Sequence, residues 1–426
     1  MKSRTILMVC DTFPPDAYVG GLRPGMFSKY LPQYGWQPLV LTRSLPADDP
    51  DYSPSLLVDG LPDHARVIRV PFGTRGQDLG AARRRLRTRL RCLVRPEVAH
   101  PPGVYDGMAR QAHALLRDAY YDAVWATVPD LWPLRLAAEL ADSRKVPWVA
   151  DLRDISEQED GEHGGLRARF LHHRVRWRRR QLLRSASAVV TVSQNHAEVL
   201  AKHNGRSVRV IPNGFDPEMF PRRENAKPSP RFSVVYMGRI LSAWLQEPRS
   251  LFAAMDRMLD SSEINAKHLD VSFYGTEARV LGDLAAPFRS RSLIQAKPRI
   301  PYDRVPGVLR RSCVLLLLTN RGRHGILTTK LFEYLGARRP VLCVPGDGGE
   351  LDALIAEAEA GLSCSTVDAV GKALSDWYRE WCATGTVSSH GREQVIMRYS
   401  RERQAGELAG ILDSVVSGHG AAVAAR

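Results

Sequence analysis

No apolar run in this 426-residue chain approaches the roughly 18–20 residues that span a bilayer; the longest, around Val314–Leu318, is strand-sized. The chain opens on one Lys, one Arg and then ILMVC, which runs into Asp11 without a small-residue cleavage site. That is too short for a secretory leader and reads as a first strand. The six cysteines, Cys10, Cys92, Cys313, Cys343, Cys364 and Cys382, show no C-x2-C spacing, and most sit in apolar runs. The pattern excludes a zinc motif and a disulfide scaffold, and it fits reduced thiols in the cytoplasm. Also missing are the dinucleotide G-x-G-x-x-G and a P-loop ending in GK[ST]. No Asp-x-Asp stands at a plausible strand end; the nearest imitation is Asp48–Asp49 with Asp51, in a Pro-rich loop. No repeat of solenoid period and no low-complexity tract is present.

What is there is ordinary in bulk and uneven in charge. Hydrophobic residues make up 44% and charged residues 25%, so the chain is globular, and its length suits two cores better than one. The net charge of +14 points to polyanionic partners: nucleic acid, an anionic membrane face or phosphorylated ligands. The basic residues gather in two runs, Arg83–Arg95 and Arg167–Arg184. Both mix Leu, Val, Phe or Trp with Arg at near-helical spacing, so each is either a solvated helix face or a peripheral contact with anionic lipid.

Strand-like and helix-like segments alternate throughout, the grammar of parallel α/β sheets. The first half supplies ILMVC, PLVLT, ARVIRV, DAVWAT, PWVAD, SAVVTV and SVRVI, with periodic segments such as Leu131–Ala141 and Gln194–Lys202 between them. The second half restarts with FSVVYMG, LDVSFYG, SLIQA, CVLLLLT and PVLCV. The stretch between, rich in Pro, Asn and charge, reads as an interdomain linker over 213–231. The expected domains are 1–212 and 232–398, with a final amphipathic helix near 399–417 and a frayed GHGAAVAAR tail. Ligands of such sheets bind at the carboxyl ends of the strands.

Four strand ends carry chemistry. After ILMVC, Gly20 and Gly21 precede a helix beginning near Arg23, with Pro24 in its first turn; this is a tight turn or a close approach to an anion at a helix start. PWVADLRD ends a strand in Asp151, Arg153 and Asp154, costly unless they pair with each other or serve a ligand. YMGR places Gly238 and Arg239 at a third strand end, where a guanidinium can grip phosphate. In TNRGRHGILTTKLFEYLGARRPVLCV, a strand leads through a basic Gly-containing loop to Thr328 or Thr329 as N-cap, then Lys330 and Glu333. The cap amides, Lys330, Arg321 and Arg323 suit an anion, and Glu333 either accepts from ribose hydroxyls or stabilises the helix start.

These segments resemble glycosyltransferase family 4 and its GT-B relatives over Ile6 to about Ser417. The carriers are FPPDAYVGGLRP, ADLRD, the VVTVS…VRVIPNGFD run, YMGR, and TTKLFEYLGARRPVL followed by Gly348–Glu350. The resemblance implies two facing Rossmann-like domains with parallel sheets and a C-terminal helix crossing back to the N-terminal domain. It implies a nucleoside-diphosphate sugar donor, no metal or other cofactor, and transfer with retention to an unidentified acceptor. By the same resemblance Gly20, Gly21, Gly238, Arg239, Thr328, Thr329, Lys330, Leu331 and Glu333 would bind the donor. Arg239, Lys330 and Asp154 would act in catalysis, with Arg153 and Asp154 on the acceptor side.

The chain also departs from the family's pattern. The first Glu of the family's Glu-x7-Glu is Gly325 here. The Lys that often follows the Gly-Arg pair is absent, with Arg249 the nearby cation. A common His-Asp pair is Arg153–Asp154. A nucleotide-sugar epimerase or a pseudo-glycosyltransferase on the same architecture therefore stands as an alternative. A nucleic-acid-binding protein is the reading from charge alone, although the basic runs lack interleaved aromatics apart from Phe170 and Trp177. Cytoplasmic location, peripheral to the inner membrane face if the basic runs meet lipid, completes the expectation.

Overall fold

Each of the twelve apolar runs named above becomes a strand, because each is short, rich in Val, Leu and Ile, and closed by turn residues. The fold is that of a computed structural model, which describes residues 3–47, 49, 52, 66–71, 104–128, 131–155, 157, 166–222, 229–240, 245–320 and 322–424. The run Arg83–Arg95 and Arg321 lie outside the described residues. The chain divides into two compact units, residues 1–212 with 404–426, and residues 213–403.

In the first unit β1 (Arg4–Cys10) leads to α1 (Leu22–Tyr30), β2 (Trp36–Arg43) and β3 (Arg66–Val70). Then follow α2 (Val104–Leu115), β4 (Ala123–Val128), α3 (Trp132–Arg144) and β5 (Trp148–Leu152). The series continues with α4 (Leu166–Leu183), β6 (Ala188–Thr191), α5 (Gln194–Asn204) and β7 (Arg209–Val210). The sheet is parallel in the order β3-β2-β1-β4-β5-β6-β7.

The second unit holds β8 (Phe232–Met237), α6 (Arg249–Asp260), β9 (Leu269–Tyr274), α7 (Ala278–Ala285), β10 (Ile294–Lys297) and α8 (Val305–Arg311). It continues with β11 (Val314–Leu318), α9 (Thr329–Ala337), β12 (Val341–Val344), α10 (Glu350–Glu357), β13 (Gly361–Ser363), α11 (Val367–Thr384) and α12 (Glu393–Ile396). Its sheet is parallel, β10-β9-β8-β11-β12-β13. The short GLS of β13 has no apolar alternation to announce it. Helix α13 (Arg401–Ala424) starts in this unit and, from Gln404, belongs to the first. It runs past the expected end near Ser417, since the Ala-rich tail favours helix over fraying.

Both sheets are buried on both faces, as parallel sheets are. In the first unit Leu7, Val9, Val124 and Ala126 pack with Trp132, Leu136 and Leu140 of α3. On the other face Ile6, Met8, Trp125 and Val149 meet Phe27 of α1 and Ala405, Leu408 and Leu412 of α13. The start of the 213–231 stretch is core of the second unit rather than linker. Phe215 and Phe220 are buried, because Phe215 lies on Gly336 and its backbone pairs with Tyr399 and Arg401.

The strand order reverses between β1 and β4 in the first sheet and between β8 and β11 in the second. A crevice opens at the carboxyl end of such a reversal. Gly20–Gly21 follow β1, Gly238–Arg239 follow β8, and the loop to Thr328 follows β11, so three of the four singled-out strand ends stand at these two reversals.

Candidate functional site

In the second unit, β8 is followed by Gly238, whose φ of +132° is a backbone state that suits glycine. Its N–H bonds the Tyr274 carbonyl at 2.8 Å, and Thr276 Oγ1 donates to its carbonyl at 2.7 Å. Tyr334 Oη accepts from Met237 N–H at 2.9 Å, tying α9 to the end of β8. Lys330 crosses the glycine: a Cβ built there would stand 2.2 Å from Lys330 Cε and 3.0 Å from Nζ. The ammonium also lies 5.5 Å from the Tyr236 ring centroid, within cation–π range.

One turn along α9, Glu333 is 8% exposed. Burial pushes its carboxyl up to about 7, against the pull of a Tyr302 hydrogen bond and of Lys330 and Arg401. Burial draws the Lys330 ammonium down, and Glu333 opposes that shift. So a desolvated cation stands at a helix start beside a carboxyl that is only partly ionised at neutral pH. The charge balance there leans toward accepting an anion.

Thr328 takes the N-cap position of α9, yet its side chain caps nothing. Its Oγ1 is buried without a hydrogen-bond partner among the described residues, the kind of group a ligand satisfies. Thr329 opens the helix and is half-buried. Leu331 differs from its expected donor role. Its side chain is fully buried in the core, and its N–H bonds the Thr328 carbonyl at 3.2 Å.

Arg239 is exposed, and Arg323 is half-buried in the loop that follows β11. Gly325 has φ +69°, so the family's first Glu would be strained on this backbone. Arg249, the cation nearest to the missing family Lys, is paired with Glu247 at 3.3 Å. The amides of Gly348 and Gly349 are already taken, by Asp352 at 2.9 Å and Asp347 at 2.8 Å. That turn is braced from within by carboxylates and by His324, whose ring meets the Asp347 carbonyl at 2.7 Å.

In the first unit the three charges at the end of β5 do not form one local cluster. Asp151 is 0% exposed and pairs with Arg23, itself 1% exposed, at 2.8 and 3.1 Å. Thr127 Oγ1 adds a third bond to Asp151 at 3.0 Å. The free end of Arg23 donates to the Pro212 carbonyl at 2.8 Å. Arg153 turns to backbone: Nη1 donates to the Gly20 carbonyl at 2.6 Å and Nε to that of Val128 at 3.2 Å. Burial draws its pKa down, with Asp151 and then Asp154 opposing. Asp154 is exposed. Gly20 is required by packing, since a Cβ would meet Thr12 Oγ1 at 2.9 Å and the Tyr18 ring at 3.0 Å. Gly21 is the N-cap of α1 and has ordinary contacts.

The fold therefore gathers Gly238, Thr328, Lys330 and Glu333 at the reversal of the second sheet. In the first it joins Arg153 to Gly20. Sequence reasoning missed Tyr302 and Arg401 around Glu333, and the pairing of Arg23 with Asp151. Nothing in PYDR marks Tyr302. Arg23, in the first turn of a helix beside Pro24, reads as a solvent-facing residue.

Comparison with known proteins bears on the family and the fold. Residues 23–214 match the family model of the glycosyl transferase 4-like domain, and residues 253–410 that of a glycosyl transferase-like domain. No curated protein matches the sequence. Among solved structures, sucrose-phosphate synthase from Thermosynechococcus elongatus superposes with a TM-score of 0.67 at 14% identity, over 97% of this chain and 100% of that one. Anabaena HepE, in complex with UDP and glucose, gives 0.63 at 16% identity, over 96% and 100%. A glycosyltransferase from Rickettsia africae gives 0.61 at 13%, over 97% and 99%. At these identities the likeness is one of fold.

Proposed function

Because this chain is a glycosyltransferase of the GT-B fold, we propose that it moves a sugar from a nucleoside-diphosphate donor to an acceptor hydroxyl or amine. Transfer proceeds with retention of configuration and without a metal ion. The observation that carries this reading is the start of α9: a desolvated Lys330, an unpartnered Thr328 hydroxyl and Glu333 beside Gly238. Anabaena HepE, which shares this fold, has also been solved in complex with UDP-glucose, which supports a sugar nucleotide as the donor.

In this reading the diphosphate lies at the α9 amides with Lys330 and Arg239, and Glu333 accepts from the ribose hydroxyls. Departure of the diphosphate builds negative charge, which preorganised amides and cations stabilise without solvent reorganisation. The leaving phosphate takes the proton of the acceptor, so no protein base is needed. Arg153 holds the Gly20–Gly21 turn, and exposed Asp154 lies on the acceptor side. The five described cysteines are free thiols, which supports action in the cytoplasm. No described helix is long and apolar enough to cross a membrane.

The test is a thermal-shift panel of nucleoside diphosphates and sugar nucleotides. A ligand at about 100 times its dissociation constant adds about 2.7 kcal/mol of stability. Stabilisation by one nucleotide family, lost in Glu333→Ala, is the expected result. No stabilisation by any member would reject the donor assignment.

A further inference from the structure

Helix α4 has a charge distribution that the donor chemistry does not use. Seven of its 18 residues are arginine, two are histidine and none is acidic. One edge is committed to the fold. Leu182 and Leu183 are buried, and Arg179 reaches inward to Glu157 at 3.1 Å. The other edge faces water. Phe170, His173, Trp177, Arg180 and, just past the helix, Arg184 recur at spacings of three and four, and all are exposed. That spacing aligns them on one face. Phe170 is 52% and Trp177 44% exposed, two of the eight large hydrophobic side chains left in water among the described residues. Arg174 stands 5.0 Å from the Trp177 ring centroid, which braces the ring among cations.

A face meant only for water would gain nothing from two aromatic rings about 10 Å apart along a helix axis. Aromatic rings set among arginines suit a surface that is apolar below and anionic above. We propose that this face of α4 docks on an anionic lipid bilayer, with Phe170 and Trp177 in the headgroup layer and Arg180 and Arg184 on lipid phosphates. The occupant is a bilayer rather than a nucleic acid for a stated reason. The five residues form the exposed, convex edge of one helix, which can lie flat in a headgroup layer but offers no groove to track a single strand's phosphate backbone. The proposal is independent of donor identity, so its test is separate from the nucleotide panel.

The experiment is co-sedimentation of the full chain with phosphatidylglycerol-rich vesicles and with pure phosphatidylcholine vesicles. It is run at about 20 mM and about 300 mM salt, where screening lengths differ about fourfold. The parent should partition to the anionic vesicles and lose that binding with salt. F170S/W177S, which leaves net charge unchanged, should lower partition about tenfold. R180Q/R184Q should lower it about fivefold per arginine. K267Q/R279Q, exposed cations of the second unit, should change it less than about twofold, and thermal melts identify any variant that fails to fold. Absence of binding at low salt overturns the proposal. So does equal partition of F170S/W177S and parent, which would mean net charge alone attracts the protein. Loss of single-stranded RNA binding in F170S/W177S, with vesicle partition intact, would assign the face to nucleic acid instead.

Discussion

Lys330 passes over Gly238 with no room for a side chain between them: a Cβ on the glycine would fall 2.2 Å from the lysine Cε. The same glycine has φ +132°. Two costs therefore meet in Gly238→Ala, one steric and one of the backbone. The variant should lose about 2–4 kcal/mol, read from thermal or denaturant melts. Adding Lys330→Ala should restore part of the stability by clearing the clash, while turnover stays low because the cation is gone. A G238A protein that melts with the parent would show that the lysine simply swings aside.

Arg239 is exposed at the end of β8. Its loss should leave stability within about 0.5 kcal/mol. Turnover should fall about a hundredfold, the usual cost of one transition-state charge contact. Near-parental turnover in Arg239→Ala would remove it from the diphosphate site.

Glu333 makes the protein's stability depend on pH. Its carboxyl is pushed up to about 7 from an ordinary 4.5, by burial first. Between those values the folded protein keeps a proton that the unfolded chain has lost. Stability therefore falls as pH rises through that window, by up to about 1.4 kcal/mol per unit from this group. Glu333→Gln should melt progressively higher relative to the parent as pH goes from about 5 to about 7, then hold its lead. Nucleotide binding near neutral pH should release a proton from the parent as the carboxylate meets ribose. The release appears as a calorimetric enthalpy that varies with buffer and ceases to vary in E333Q. A buffer-independent enthalpy in the parent would show that Glu333 keeps its protonation state on binding.

The Arg23–Asp151 pair is closed to water on both sides. Asp151→Asn leaves a buried guanidinium without its countercharge, which should cost about 3–5 kcal/mol. Denaturant melts report it, and a loss under about 1 kcal/mol would mean that the Pro212 carbonyl and local water replace the carboxylate.

If Lys330, Arg239 and the α9 amides supply the charge that a metal would, as proposed, turnover should survive chelation. Abolition by a chelator with rescue by magnesium or manganese would contradict the metal-free mechanism.

Strands were legible because burial on both faces leaves an unbroken apolar run, and runs such as CVLLLLT admit few other readings. The cluster of Gly238, Lys330 and Glu333 was legible because these residues lie at a strand end and a helix start, where a one-dimensional pattern already implies position. Asp151 was harder to read. Its partner Arg23 stands 128 residues earlier, and the nearer Arg153 offers a false local pair. Arg153 instead serves the carbonyls of Gly20 and Val128, a choice fixed by the packing of three strand ends. Phe215 and Phe220 sat in a Pro- and charge-rich stretch, and only the absence of a Cβ at Gly336 makes room for the first of them.

Ala405, Leu408, Ala409, Ile411 and Leu412 of α13 close one face of the sheet that Ile6 and Met8 begin. A ribosome emits Ile6 long before Leu412. The first unit therefore waits, one sheet face only partly covered by α1, until α13 emerges, whereas residues 213–403 hold within themselves what their own core requires. A chain stopped near residue 400 would carry a finished second unit and an unfinished first one, and that first unit is the part that should call on chaperones.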